Sequence, residues 1–565
     1  MRKTLALVLS VMMLMTLCCF ALPVSAAEGT PINTAEEFAA MAADGTYYLN
    51  ADITITTSYP TQFTGTLDGN GKTVTVSAPM FYDLCGTVKN LTTVGTVTTA
   101  DYAGAVAAIS TNGCVVENVT NNAAITVMSE IQYAAAGGII GYDYSNEYTS
   151  TYTNVINNGD VYCDSSFEGE AKPRAAGIGA IVDNAIFTKC INNGNITCTG
   201  SVTMAAGIAA RLAMAPSGAN TAEAYYCENH GKITGTDNFN NTTGNDGAGI
   251  FAYIGNKGNL AFYRVYGCVN TGEIYGSHRV SSMVCYAYGS GANQFLDVEF
   301  CLNTGNLTYG KPAKEDGSEN TAYGSHFIAY TNSPYTTIKY NVSTGTCKPA
   351  DFAYTTFHSF MSLSSADSMQ YDISDNYILE GGMDTFTHTF WCTDSNFETY
   401  PNNRQDLNYG VENNMWTVVS AADLASGKIA VELNKAGEGY EGYYFYQTLG
   451  TDAAPTPMDT SKWVLDNGGV YVNGDKPVEE EPVVTEPVTE PVTEPVTEPV
   501  TEPVTEPVTD PSTPTETEPT TPTETTPAGG DDAKEPSGGC GSVVALSILA
   551  CMIPAAVVIC KKKRD

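Results

Sequence analysis

Apolar and polar residues alternate in short runs through the middle of this chain, and each run ends in turn residues. The alternation predicts half-buried strands. The clearest runs follow a recurring stretch: Cys190-Ile-Asn-Asn-Gly-Asn-Ile196, Cys227-Glu-Asn-His-Gly-Lys-Ile233, Cys268-Val-Asn-Thr-Gly-Glu-Ile274 and Cys301-Leu-Asn-Thr-Gly-Asn-Leu307. Weaker copies surround Gly159, Ala123 and Gly95. Asn-x-Gly predicts a tight turn, with the glycine taking a positive φ. The turn positions 95, 123, 159, 194, 231, 272 and 305 are spaced by 28, 36, 35, 37, 41 and 33 residues. A period in that range without a helical pattern predicts a strand-rich solenoid.

A second motif falls between the copies: Gly138-Ile-Ile-Gly-Tyr142, Gly177-Ile-Gly-Ala-Ile181, Gly207-Ile-Ala-Ala-Arg211 and Gly249-Ile-Phe-Ala-Tyr253. Two strand-turn units per period predict two coils of a right-handed parallel β-helix. The segment from about 70 to 310 resembles the Gly-Leu-any-Gly repeat of bacterial surface proteins, most closely at Gly138–Gly141. The resemblance implies a β-helical surface module and no particular reaction.

The ends of the chain have other patterns. Residues 1–26 read as a secretory signal peptide: Met1-Arg-Lys3, an apolar stretch, then Val24-Ser-Ala26. Residues 27–62 read as an N-terminal cap, with a helix from Asn33 or Thr34 to Ala43 and a strand over Tyr47–Ile55. The solenoid is expected over 63–345, its pattern fading from 311. A small α+β cap is expected over 346–475, with one helix at Ala422–Leu433 and a core of Trp416, Tyr446 and Trp463. It resembles the closing unit of surface β-helices. Repeated Thr-Glu-Pro-Val makes 476–540 an extended stalk. The apolar run 541–560 is long enough to cross a bilayer, and the basic tail 561–565 places it on the cytoplasmic side. The layout is similar to wall-sorting signals but lacks Leu-Pro-x-Thr-Gly; Ser537–Ser542 stands where processing would occur.

Charge and chemistry narrow the function. The 565 residues carry a formal charge of −36, which excludes nucleic acid as a partner. No cofactor is expected. No metal is expected either: there is no Cys-x-x-Cys, and a calcium loop from Asp68 would need Glu where Pro79 stands. The repeat cysteines read as an inward ladder. Two coils apart they would sit about 9.5 Å from one another, too far to bridge.

Asp143, Asp160, Asp183, Arg174 and Arg211 are scattered without a shared register. His230 replaces the turn residues Asn193 and Thr271 of sister repeats. No catalytic motif stands out. If Ile139, Ile178, Ile208 and Ile250 point inward, then Tyr142, Ile181, Arg211 and Tyr253 face outward, with Tyr286 and Tyr330 in the same register. Exposed rings suit sugars or a protein surface. Covering loops such as 143–152, or the opposite parity, would remove the site. On the outward reading, Tyr253→Ala leaves the melting temperature nearly unchanged; on the core reading it lowers it sharply. The expected role is an adhesin or a module contacting an extracellular glycan or surface protein, membrane-anchored at the cell surface. The alternatives are a carbohydrate-active enzyme of β-helix type and a structural surface protein.

Overall fold

The computed structural model describes residues 28–144, 148–168, 170–212, 220–237, 245–256, 261–289, 294–310, 321–350, 355–358, 361–363, 370–382, 390–391, 415–437, 443–459 and 469–470. The expected signal peptide, Trp463, the expected stalk and the apolar run 541–560 lie outside these residues. No helix among the described residues is long and apolar enough to cross a membrane.

The chain is mostly β, built of long parallel sheets stacked in register. One coil shows the plan: strands Ala185–Thr188, Ile191–Asn192, Ile196–Gly200, Met204–Ala206 and Ala209–Leu212. Each pairs in parallel with its equivalent in the next coil, at Asn220–Tyr225, Glu228–Asn229, Ile233–Asp237, Asp246–Ala248 and Phe251–Asn256. Each period is therefore one coil of five strands, not two coils. The first three strand positions contribute to a 29-stranded sheet, the fourth to an 8-stranded sheet and the fifth to an 11-stranded sheet. The ladder runs past both expected borders, from Thr30–Ile32 through Gln370–Ser374 to Trp416–Val419. Irregular sequence after 311 hid strands whose backbones still pair.

The two motifs are opposite walls of one interior. The Asn of Cys-x-Asn-x-Gly is buried, and its amide donates to the Asn one coil on. The chain Asn121, Asn157, Asn192, Asn229, Asn270, Asn303 keeps distances of 2.8–2.9 Å. Thr93 closes one end at 2.7 Å and Ser343 the other at 3.0 Å. Each amide from Asn121 to Asn303 also donates to the carbonyl two residues ahead, as Asn229 does to Gly231 at 3.0 Å. The glycines of the second motif back onto this ladder. A Cβ on Gly177 would lie 2.4 Å from Asn192 Oδ1, and one on Gly207 2.6 Å from Asn229 Oδ1. Near the far end the sizes reverse: His326 stands in the glycine column and Ser343 in the asparagine column, bonded at 2.7 Å.

The turn chemistry is displaced by a few residues from the expected place. Gly159, Gly194, Gly231, Gly272 and Gly305 do not have positive φ. They are glycine because the coils approach too closely: a Cβ on Gly231 would lie 1.9 Å from the Gly194 carbonyl oxygen. The left-handed corner is instead the residue before the Cys position. It is filled in turn by Asn90, Asn118, Asn154, Lys189, Tyr226, Gly267, Phe300, Tyr340 and Asp375, at φ between 53° and 63°.

The cysteines follow from this corner. They sit one coil apart, near the strand spacing of about 4.8 Å, so the distance argument against bridging fails. All are free thiols. Cys190, Cys227, Cys268 and Cys301 donate to the carbonyls of Tyr152, Phe187, Ala224 and Val265, at 3.3–3.5 Å. Asn341 and Asn376 take over the same task, donating to Val298 and Ile338 at 2.9 and 2.8 Å.

The N-terminal end of the solenoid is covered. Helix α1 (Ala35–Ala39) starts at Thr34, whose hydroxyl accepts from Glu37 N at 3.2 Å while Glu37 accepts from Asn33 N at 2.6 Å. The pair resembles a capping box, with Glu37 reaching one residue further back than the N-cap. Phe38 then enters the interior against Tyr59 and Phe81. At the other end, the expected single helix is two, α2 (Ala421–Ala425) and α3 (Lys428–Ala436), because Gly427 turns left-handed at φ 81°. They do not simply close the end. Leu424, Ile429, Leu433 and Phe445 pack sideways on Val269, Leu302, Val342 and Tyr377 of the outer wall. Trp416 is buried in the main interior, whereas Tyr446 is only half-buried.

Candidate functional site, an outer groove between two sheets

The fourth and fifth strands are joined by a tight two-residue turn, Gly-Ile in the central coils and Ser282-Met283 and His326-Phe327 further on, and small residues line the outside of that corner. Ala135, Ala180 and Ile181 form one outer cluster; Ala176, Ala206, Ala210, Ala248, Ala252, Met204 and Tyr253 form another, both separate from the interior core. Alanine lets the two sheets fold toward each other, and the outer faces make a groove along the stack.

The register fills this groove with two facing columns. On the fifth-strand wall, Tyr142, Ile181, Arg211, Tyr253, Tyr286 and Tyr330 are consecutive partners. On the fourth-strand wall the column is Ala135, Arg174, Met204, Asp246, Arg279 and Tyr323. The four sequence-predicted residues Tyr142, Arg211, Tyr253 and Tyr286 thus share one column outside the main core. Their burial differs from the expectation. Tyr142, Arg211 and Tyr286 are half-buried, and Tyr253 is only 9% exposed. The expected choice between solvent and core fails for Tyr253, because the groove gives a third environment.

At one end the rings interlock. Tyr286 meets Tyr253 and Tyr330 edge-on at 5.2 and 5.1 Å. Arg279 lies 4.2 Å from the Tyr286 ring centroid, a cation–π contact. Its Nη1 is 3.2 Å from Asp246 Oδ2, and His278 Nδ1 is 3.6 Å from Oδ1. Burial opposes the charge on Arg279, but Asp246, together with Tyr286, Cys285 and Tyr323, outweighs it and raises its pKa. Burial likewise lifts the Tyr142 and Tyr286 phenols above their ordinary range. These hydroxyls therefore stay protonated and act as hydrogen-bond donors.

Sequence reasoning missed Asp246, His278, Arg279 and Tyr133. It also missed that Arg174 and Arg211 lie in adjacent coils on facing walls. The fourth-strand residues have no motif of their own; only their offset before Gly-Ile could have aligned them. The other scattered groups go elsewhere. Asp143 accepts from the buried Tyr152 hydroxyl at 3.0 Å, and Asp160 accepts from the Asn195 main chain at 2.9 Å. His230 sits at the exposed turn, with Nδ1 2.7 Å from Thr271 and Nε2 2.8 Å from Glu228. Among the described residues, no three His, Cys, Asp or Glu side chains gather as for a metal ion.

No family model and no curated protein matches the chain. Among solved structures it is similar to a candidate immunoglobulin A1 protease from Bacteroides ovatus, at 12% identity and a TM-score of 0.28. That likeness covers 77% of this chain and 93% of the other.

Proposed function

We propose that this chain is a surface-displayed binding module: a right-handed β-helix of the Gly-Leu-any-Gly kind, exported, carried on an acidic stalk and anchored by its C-terminal helix. It acts as an adhesin or contacts an extracellular glycan or surface protein. The outer groove carries this reading. Its half-buried tyrosines offer ring faces and hydroxyls together, the combination sugar rings engage. A glycan array probed with the full-length chain tests it. Tyr142→Ala is expected to lower binding a few-fold to about tenfold, the loss of one stacking contact. Absence of binding, or binding indifferent to Tyr142, would sink the reading.

A second reading, a carbohydrate-active enzyme, has one observation in its favour. On another outer wall Arg264 lies 3.8 Å from Glu223 and 3.9 Å from Asp297. Burial raises the Asp297 carboxyl above its ordinary value, as a general acid requires. A lyase and hydrolase screen that finds activity abolished by Asp297→Asn would favour it over binding alone.

A further inference from the structure

Two arginines on facing walls of the groove have no acidic partner among the described residues. Arg174 is 2% exposed. Its Nη1 donates to the carbonyls of Pro173 at 2.9 Å and Val202 at 2.7 Å, and its Nε has no acceptor. Arg211, half-buried, stands 5.6 Å from the Tyr133 ring centroid. Lys172 approaches the same ring at 5.7 Å and is paired with Glu170 at 3.1 Å. Asp183 lies near Tyr142 at this end. The next acid along the stack, Asp246, acts on Arg174 only as a lesser favourable charge, and its oxygens are held by His278 and Arg279 of the following coil.

Burying a guanidinium without a counter-charge is costly. Burial, and then the neighbouring charge of Arg211, push Arg174 down to about 10. Arg174 does tie two carbonyls of adjacent coils together, but the column as a whole does not call for arginine. The same two columns hold Ala135 and Met204 on either side of Arg174, and Ile181 and Tyr253 on either side of Arg211. The chain is also poor in cations, with 26 Lys and Arg against 62 Asp and Glu.

We infer that this end of the groove binds the carboxylate of an acidic sugar of the uronic-acid type. Arg211 is the accessible donor, Arg174 the buried second charge, and Tyr142 and Tyr133 flank the sugar ring. A planar guanidinium matches a carboxylate with two parallel hydrogen bonds, and the flanking rings favour a pyranose over a bare inorganic anion. This inference rests on the groove being the glycan-contacting surface.

The test titrates the full-length chain with oligogalacturonate, its methyl ester, and a neutral galacto-oligosaccharide. The acid is expected to bind at least about tenfold more tightly than the ester, as loss of a charge-assisted pair implies. That preference disappears in Arg211→Gln. Arg211 holds no hydrogen bond among the described residues and only the ring contact with Tyr133, so the variant should melt close to the wild type; if it does not fold, the ester comparison on the wild type decides. Equal binding of acid and ester, or a preference that survives Arg211→Gln, overturns the inference. If ester and neutral sugar both bind and Tyr142→Ala weakens them, the groove reading stands while the carboxylate site falls. If none of the three sugars binds, both fall.

Discussion

The inner asparagine seam and the outer tyrosine groove run along the same stack, a sheet's thickness apart, and obey opposite rules. In the seam every coil repeats the same residue, because each amide is both donor to the next coil and acceptor from the last. The column is constrained by its neighbours; where the asparagine gives way to the smaller Ser343, the facing column, glycine to Gly249 and then Ser282, carries the larger His326. In the groove the backbone register is equally regular, but Tyr142, Ile181, Arg211 and Tyr253 follow one another without repetition. Coils on the outside need not satisfy their neighbours. Periodicity in a solenoid therefore reports how it is held together, and departures from periodicity show where a surface is free to specialise.

The largest test of that contrast is Asn229→Ala. It strands three buried hydrogen-bonding groups: one N–H of the Asn192 amide, whose other still reaches the Gly194 carbonyl, the Asn270 side-chain oxygen and the Gly231 main-chain oxygen. At about 1–3 kcal/mol for each stranded group, a loss of about 3–6 kcal/mol is expected in denaturant unfolding. Because stacked coils stabilise chiefly their neighbours, hydrogen exchange should rise first between residues 192 and 270. A cost no larger than that of an exposed substitution would show that the seam is not the structural element it is taken for.

Tyr253→Ala sharpens the same contrast from the other side. The ring is outside the interior yet packed against Met204, the alanine lining and Tyr286. A loss of about 2–4 kcal/mol is expected, in the lower part of the range for aromatic truncation. The half-buried Tyr142 should cost less. Equal and negligible losses at both would mean that the groove is open solvent, and that only ligand binding can account for its rings.

The seam was legible in part, the groove less so. The repeat, the strand content and the in-register column of Tyr142, Arg211, Tyr253 and Tyr286 follow from spacing and alternation, which the backbone imposes on every coil. Coil size was misread because two motifs in one period look like two coils, when they are two walls facing across one interior. The repeated Asn-x-Gly suggests a φ effect. Its actual cause, a carbonyl 1.9 Å from where a Cβ would be, depends on the coil above and has no local signal. Burial in the groove was hidden for the same reason. Alternation distinguishes inside from outside of one sheet, but not an outside face that a second sheet folds over. Glu228 giving way to Val269, Leu302 and Val342 at one outward position was a usable signal that α2 and α3 cover that wall.

The smallest test concerns the thiols, where seam and corner meet. Cys227 fills a buried site and donates to the Phe187 carbonyl at 3.5 Å. Burial keeps Cys190 and Cys268, its neighbours in the stack, well above the ordinary thiol range, so these sulfurs are packing and hydrogen-bonding groups rather than nucleophiles. Cys227→Ala removes the sulfur and the donor, and should cost about 1–2 kcal/mol from a small cavity and a lost weak bond. Cys227→Ser keeps a donor in nearly the same volume and should recover part of that. Asn341 and Asn376 already show that the position accepts other donors. Adding reductant should change neither the wild type nor the variants. If reductant alone destabilised the wild type, the one-coil spacing would be allowing bridges, and the column would be a covalent staple instead of a row of hydrogen bonds. If Ser were worse than Ala, the site would be selecting for apolar volume, and the carbonyl contact would be incidental.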